Sequence, residues 1–169
     1  PEVRAEKQYV VGHPPGVVCK LNQNESPFDV DAALKDEVLE DMRSVPFNRY
    51  PDDQPTPLID ALARSVGVHP DMILVGNGSN ELTHTLGLAL VSGGHRVVLP
   101  RPMFALFESV VRIFGGQLLS VSARPDLSFD VEGIVRAVQQ EDPVLTVIAT
   151  PNNPTGLEVS RTELLSIVE

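Results

Sequence analysis

The stretch Ala149-Thr150-Pro151-Asn152-Asn153-Pro154-Thr155-Gly156 follows an apolar run at 144–148 and leads toward a helix start. An α/β fold gathers its ligand chemistry at such a place, outside the carboxyl ends of its strands. Two prolines restrict the backbone around paired asparagines, so a carboxamide can be held rigidly against a polar atom of a bound molecule. Taken alone, an Asn/Pro/Gly turn of purely structural purpose reads the same way. What precedes it in the chain decides between the two.

Working outward, apolar runs of strand length at 72–75, 96–99, 117–121 and 144–149 alternate with helical patterns at 80–90, 103–114 and 131–140. Such alternation predicts βαβ units and a parallel sheet. A helix through Leu58, Leu62 and Val66 stops at Gly67, and another at 31–43 carries the stripe Leu34, Val38, Leu39 and Met42. Ser160-Arg161-Thr162-Glu163 has the form of a capping box opening a last helix. Three sections result: an extended Pro/Gly/Asn-rich arm at 1–30, a helix and loop at 31–57, and the α/β region at 58–169. No repeat or low-complexity tract interrupts them.

Composition narrows the function classes. A net charge of −10, with ten arginines and three lysines scattered along 169 residues, excludes a nucleic-acid partner, which needs clustered cations. Cys19 is alone, so no intrachain disulfide is available. His13, His69, His84 and His95 lack metal-ligand spacing, so no metal is expected. No apolar run approaches membrane-spanning length, and the start Pro1-Glu2-Val3-Arg4 has no signal-peptide apolar region. A soluble, cytoplasmic protein without membrane contact is the expectation.

Gly76-Asn77-Gly78-Ser79-Asn80-Glu81 lies between an expected strand and an expected helix. There, free amides and the positive end of the helix dipole can face an anion, and glycines permit close approach. Asn77-Gly78-Ser79 matches a glycosylation sequon but is better explained as this phosphate loop. A tight turn is the plainer reading of the two glycines. A dinucleotide fold is disfavoured because Glu81 stands where a third glycine would be and the next strand ends in Leu99-Pro100 rather than an acid; a P-loop lacks its Gly-Lys-Ser/Thr.

Arg101-Pro102-Met103-Phe104 follows the next strand, and Phe104 is either a core residue or an aromatic face for a flat ligand. Three successive strand ends thus offer a phosphate site, an aromatic ring and a rigid amide. Together they suit a small, planar, phosphorylated heterocycle, and pyridoxal phosphate is that molecule.

These motifs resemble the amino-terminal half of the fold-type-I pyridoxal-phosphate aminotransferases, most closely the histidinol-phosphate aminotransferases. Lys20-Leu21-Asn22-Gln23-Asn24-Glu25-Ser26-Pro27 is similar to the family's L-N-x-N-E-N-P arm, which puts Asn22 and Asn24 on the substrate side. Arg49-Tyr50-Pro51-Asp52 resembles its R-Y-P-D loop, implying that Tyr50 bonds the cofactor phosphate of a neighbouring subunit in a homodimer. The glycine loop is similar to G-x-G-x-D-E, giving Gly78, Ser79 and Asn80 to the phosphate, with Asn80 in place of Asp. Phe104 takes the place of a ring-stacking tyrosine, and Asn153 that of the asparagine on the pyridine 3-oxygen.

The resemblance implies a three-layer αβα large domain with a largely parallel sheet, incomplete in this chain. It also implies transamination between a small amino donor, histidinol phosphate or a similar compound, and a 2-oxo acid such as 2-oxoglutarate. The only lysines are Lys7, Lys20 and Lys35, all ahead of the sheet, so no catalytic residue is expected here and the Schiff-base lysine is expected beyond Glu169. A threonine-phosphate decarboxylase or an aromatic aminotransferase of the same fold remains an alternative. Outside enzymes, an inactive fragment or a nucleotide-binding module remains open.

Overall fold

The computed structural model describes Gly12 and residues 15–169; residues 1–11, His13 and Pro14, and with them Lys7 and most of the first half of the expected arm, lie outside the described part. Three parallel strands form the sheet in the order β2-β1-β3: β1 Arg96–Arg101, β2 Gln117–Ser122 and β3 Leu145–Thr146. Val97 of β1 lies opposite Leu118 on one side and Leu145 on the other. The helices are α1 Ala32–Arg43, α2 Thr56–Val66, α3 Ser79–Leu90, α4 Leu106–Ile113, α5 Val131–Glu141 and α6 Arg161–Val168.

Alternation along β1 builds the layers. Val98 points to one face, where it packs with Phe129, Val131, Ile134 and Ile167 around α5 and α6. Val97 and Leu99 point to the other, where Val91 and Val111 cover them beside α3 and α4. Because β1 is central and buried on both faces, its apolar run is nearly continuous, as parallel sheets require. Both faces of the sheet are therefore clothed, in the three-layer α/β arrangement expected from the sequence.

Helix ends follow local chemistry. Gly67 closes α2 with φ 74°, and its amide reaches the Ala63 carbonyl. Asp130 caps α5 by accepting from the Gly133 amide at 3.1 Å. Ser160 and Glu163 form the reciprocal capping box of α6. On α3, a Cβ at Gly87 would stand 2.3 Å from Val110 Cγ1, so the glycine sets how closely α3 and α4 pack.

Two strand expectations and one helix boundary are corrected. Residues 72–75 form no strand: a 3-10 turn, Pro70–Met72, leads into extended backbone, with Ile73 at φ −112° and ψ 126°, that joins no ladder among the described residues. The conformation is right and the partner strand is missing, and a strand is defined by pairing. The run 144–149 is a paired strand only at Leu145–Thr146, although Val144 and Val147 amides also reach Arg96 and Val98 carbonyls of β1. The helix expected at 103–114 begins at Leu106, because the loop carrying Phe104 comes first.

Candidate active site

The carboxyl ends of β1 and β3 lie side by side, and the two loops leaving them are joined by one side chain. Asn152 is 6 % exposed, and its Nδ2 donates to the Pro102 carbonyl at 2.9 Å and to Thr155 Oγ1 at 3.0 Å. Its backbone closes the turn, with the Asn152 amide donating to the Leu157 carbonyl at 2.8 Å and the Gly156 amide to the Asn152 carbonyl at 2.7 Å. Asn153, next along, is exposed, and Phe104, two residues beyond Pro102, is half-buried. The two sequence-predicted ring residues thus sit on the loops that leave neighbouring strands.

The end of β1 is also tied to α4. Arg101 reaches Glu108 at 2.7 Å, and Arg112 reaches the same carboxylate at 2.9 Å, with the Glu108 side chain only 15 % exposed. A cavity of about 10 Å³ lies beneath the two loops, lined by Arg101, Pro102, Asp130 and Asn152 among others. Arg101 Nε and Asn152 Oδ1, both buried, have no hydrogen-bond partner.

The glycine loop opens α3. Gly78 is its N-cap at φ 84°, a conformation that suits glycine, and no side chain caps the helix. The first-turn amides of Ser79, Asn80 and Glu81 therefore have no side-chain cap, and nothing lies within 4 Å of a Cβ built on Gly78. The Glu81 carboxylate turns back to accept from the Asn77 amide, which steadies the loop. Since α3 packs on α4, the glycine loop and the Phe104 loop belong to the two helices covering one face of the sheet.

Other predicted residues are not brought to this place. Tyr50 is fully exposed, and Asn22 and Asn24 are exposed, Asn24 with φ 53°. Lys20 and Lys35 pair with Glu25 at 2.5 Å and with Asp29 at 2.6 Å on the same exposed section. A cavity of about 300 Å³ between the open edge of β3 and helices α3 and α4 is apolar and holds none of the predicted site residues. Among the described residues no group of three His, Cys, Asp or Glu could hold a metal ion, and no helix is long and apolar enough to cross a membrane. Asp29, Asp126 and Glu163 have carboxyls held below the usual range, chiefly by hydrogen bonds from Lys35, Ser128 and Ser160, and none belongs to the site. The residue that sequence reasoning passed over is Asn152; its doubling with Asn153 was the available signal.

An open α/β sheet with a glycine-lined helix start and a rigid Asn-Pro turn beyond its strand ends has the form of an α/β ligand site. Residues 17–169 match the aminotransferase class I and II family, and the chain belongs to it. It is 42 % identical over 149 residues to histidinol-phosphate aminotransferase of Chlorobaculum parvum, covering 88 % of this chain and 42 % of that protein. With the Chlorobium phaeobacteroides enzyme of the same name it shares 40 % identity over 169 residues, 100 % of this chain and 47 % of the relative. The crystal structure of histidinol-phosphate aminotransferase from Sinorhizobium meliloti in complex with pyridoxal-5'-phosphate superposes with a TM-score of 0.69 at 28 % identity, over 79 % of this chain and 34 % of that one. The chain therefore spans less than half the length of these relatives.

Proposed function

We propose that this chain forms the cofactor-phosphate and cofactor-ring part of a pyridoxal-phosphate-dependent aminotransferase acting between histidinol phosphate and a 2-oxo acid such as 2-oxoglutarate. The observation that carries the reading is the 2.9 Å bond from Asn152 to the Pro102 carbonyl, which sets the Phe104 and Asn153 loops side by side. The residues present fit the group. Uncapped first-turn amides beyond Gly78, with the Cβ space there empty, suit a phosphate dianion. Phe104 can lie against a planar ring, and the exposed Asn153 carboxamide can donate to a ring oxygen.

The bound cofactor would serve as an electron sink for the bond broken at the amino-bearing carbon. This chain's residues bind and orient: Gly78, Ser79 and Asn80 hold the phosphate, Phe104 limits the ring on one face, and Asn153 fixes its rotation. Lys20 and Lys35, the lysines among the described residues, pair with Glu25 and Asp29 away from the site, which favours a Schiff-base lysine elsewhere in the full-length protein. Histidinol phosphate is favoured as amino donor by the relatives at about 40 % identity that carry that name.

A homodimer in the cytoplasm completes the proposal. Tyr50 is fully exposed, which suits a role across a subunit boundary. Mixing a Tyr50→Phe subunit with one lacking the Schiff-base lysine should give a hybrid whose two sites carry neither defect or both. Absence of that complementation would place the tyrosine elsewhere.

The deciding experiment uses the full-length protein with pyridoxal phosphate, comparing kcat/KM for histidinol phosphate, aromatic amino acids and threonine phosphate with 2-oxoglutarate present. The highest value with histidinol phosphate is expected. Preference for an aromatic amino acid, or carbon dioxide release from threonine phosphate, would overturn the substrate; failure to retain the cofactor would overturn the whole reading.

A further inference from the structure

The structure assigns Asn152 a role of its own: it is a positioning residue that sets the distance between the Phe104 loop and the Asn153 turn, and so the slot a planar ring would enter. The inference rests on the cofactor reading above. Thr83 and Asn152 are the buried polar side chains among the described residues. Thr83 satisfies its hydroxyl within its own helix, on the Ser79 carbonyl at 2.8 Å. Asn152 spends its amide across the molecule, on a carbonyl fifty residues away in sequence.

The geometry is that of a bolt. One Nδ2 hydrogen goes to the Pro102 carbonyl in the loop after β1, the other to Thr155 Oγ1 inside its own turn. Pro102 has no amide with which to make a reciprocal bond, so the carboxamide is the polar link between the loops that the hydrogen bonds record. Asn152 also lines the small cavity that Arg101 lines, and its Oδ1 makes no hydrogen bond. What the bond sets is loop spacing: the same side chain sits one residue from Asn153 and two positions from Phe104 through Pro102.

The test uses the full-length protein and three variants, Asn152→Ala, Asn152→Asp and Asn153→Ala. Asn152→Asp keeps the volume and removes both donors, so it serves if the alanine variant does not fold. In the cofactor-free protein, hydrogen exchange in the peptide containing Phe104 is expected to rise about tenfold in both Asn152 variants and to stay at the parental rate in Asn153→Ala. With pyridoxal phosphate added, the visible circular dichroism of the bound cofactor should fall and its affinity weaken about tenfold. A double variant with Phe104→Ala should lose less affinity than the two single losses combined, because both act on one slot. Parental exchange at the Phe104 peptide, or strictly additive losses, would reduce Asn152 to a residue of the turn and overturn the inference. A parent protein that binds no pyridoxal phosphate would instead sink the functional reading and this inference with it, whatever the exchange data show.

Discussion

Residues 12–57 and residues 58–169 carry amphipathic helices of the same kind and meet different fates. On α1 the apolar stripe Leu34, Val38, Leu39 and Met42 is 46–51 % exposed, whereas on α4 Val110 and Val111 are 3 % and 2 % exposed. Every described residue of 12–57 is exposed; all the buried ones lie in 58–169. An apolar face written into a sequence states that something will cover it. Only topology says what, and α4 finds its cover in the sheet and α3 whereas α1 finds none in this stretch of chain.

The same contrast extends to the sheet itself, and it yields the largest expected effect. The 300 Å³ apolar cavity along β3 and the unpaired extended run after Met72 leave backbone and apolar surface open within residues 58–169. A polypeptide of residues 1–169 alone is expected to melt without a cooperative transition, to bind a hydrophobic dye and to aggregate. A sharp two-state melt of a monomer that binds no dye would erase the distinction between a covered and an uncovered half.

A pair of substitutions in the full-length protein sharpens it. Ile134 is fully buried against Val98, so Ile134→Ala should cost roughly 2–5 kcal/mol in denaturant unfolding. Leu39→Ala is expected to cost within about 0.5 kcal/mol if the α1 face stays in water, and more if the assembled protein covers it. Equal losses at the two sites would mean that α1 is as much a core element as α5.

How legible was this from sequence? The β1–α4–β2–α5–β3 order was readable because each strand pairs within this chain, so local pattern and tertiary outcome agree. The strand at 72–75 failed because pairing is not a local property: Ile73 has the backbone conformation and lacks the ladder. At the proposed site, Asn153 and Gly78 could be singled out from sequence because motif position and glycine chemistry are local. The doubled asparagine marked the turn, but the bond from Asn152 was not legible, because its partner carbonyl lies fifty residues away. Tyr50 shows the reverse case, a residue flagged by resemblance that the fold of one chain leaves in solvent.

The glycine loop stands between the two halves and gives a smaller effect. Ser79 is the first helical residue of α3, a position where proline is well tolerated and removes one amide. Ser79→Pro should therefore spare the helix and weaken pyridoxal phosphate binding by roughly 1.5–3 kcal/mol, read by equilibrium dialysis of the full-length protein. Unchanged affinity would mean that the anion is held elsewhere.

Caps are the features on which the two regions should agree, since they need only neighbours in sequence. Asp31 accepts from the Ala33 amide at 2.9 Å and Ser160 from the Glu163 amide at 3.2 Å. Replacing either by alanine should cost about 0.5–2 kcal/mol of local helix stability. The loss at Asp31 should appear as faster exchange confined to α1, and that at Ser160 should reach the core through Ile167, which packs with Val98 and Ile134. The α6 box adds a pH signature. The Ser160 hydroxyl and amide hold the Glu163 carboxyl below its ordinary 4.5. A depressed folded value means the stabilisation is complete above 4.5 and is lost as pH falls through the lower folded value. Exchange in α6 should therefore quicken, relative to α5, as the solution is acidified below 4.5, and Glu163→Gln should remove that relative change. An identical acid response in the glutamine variant would show that the box holds α6 by geometry alone, with no contribution from the carboxylate charge.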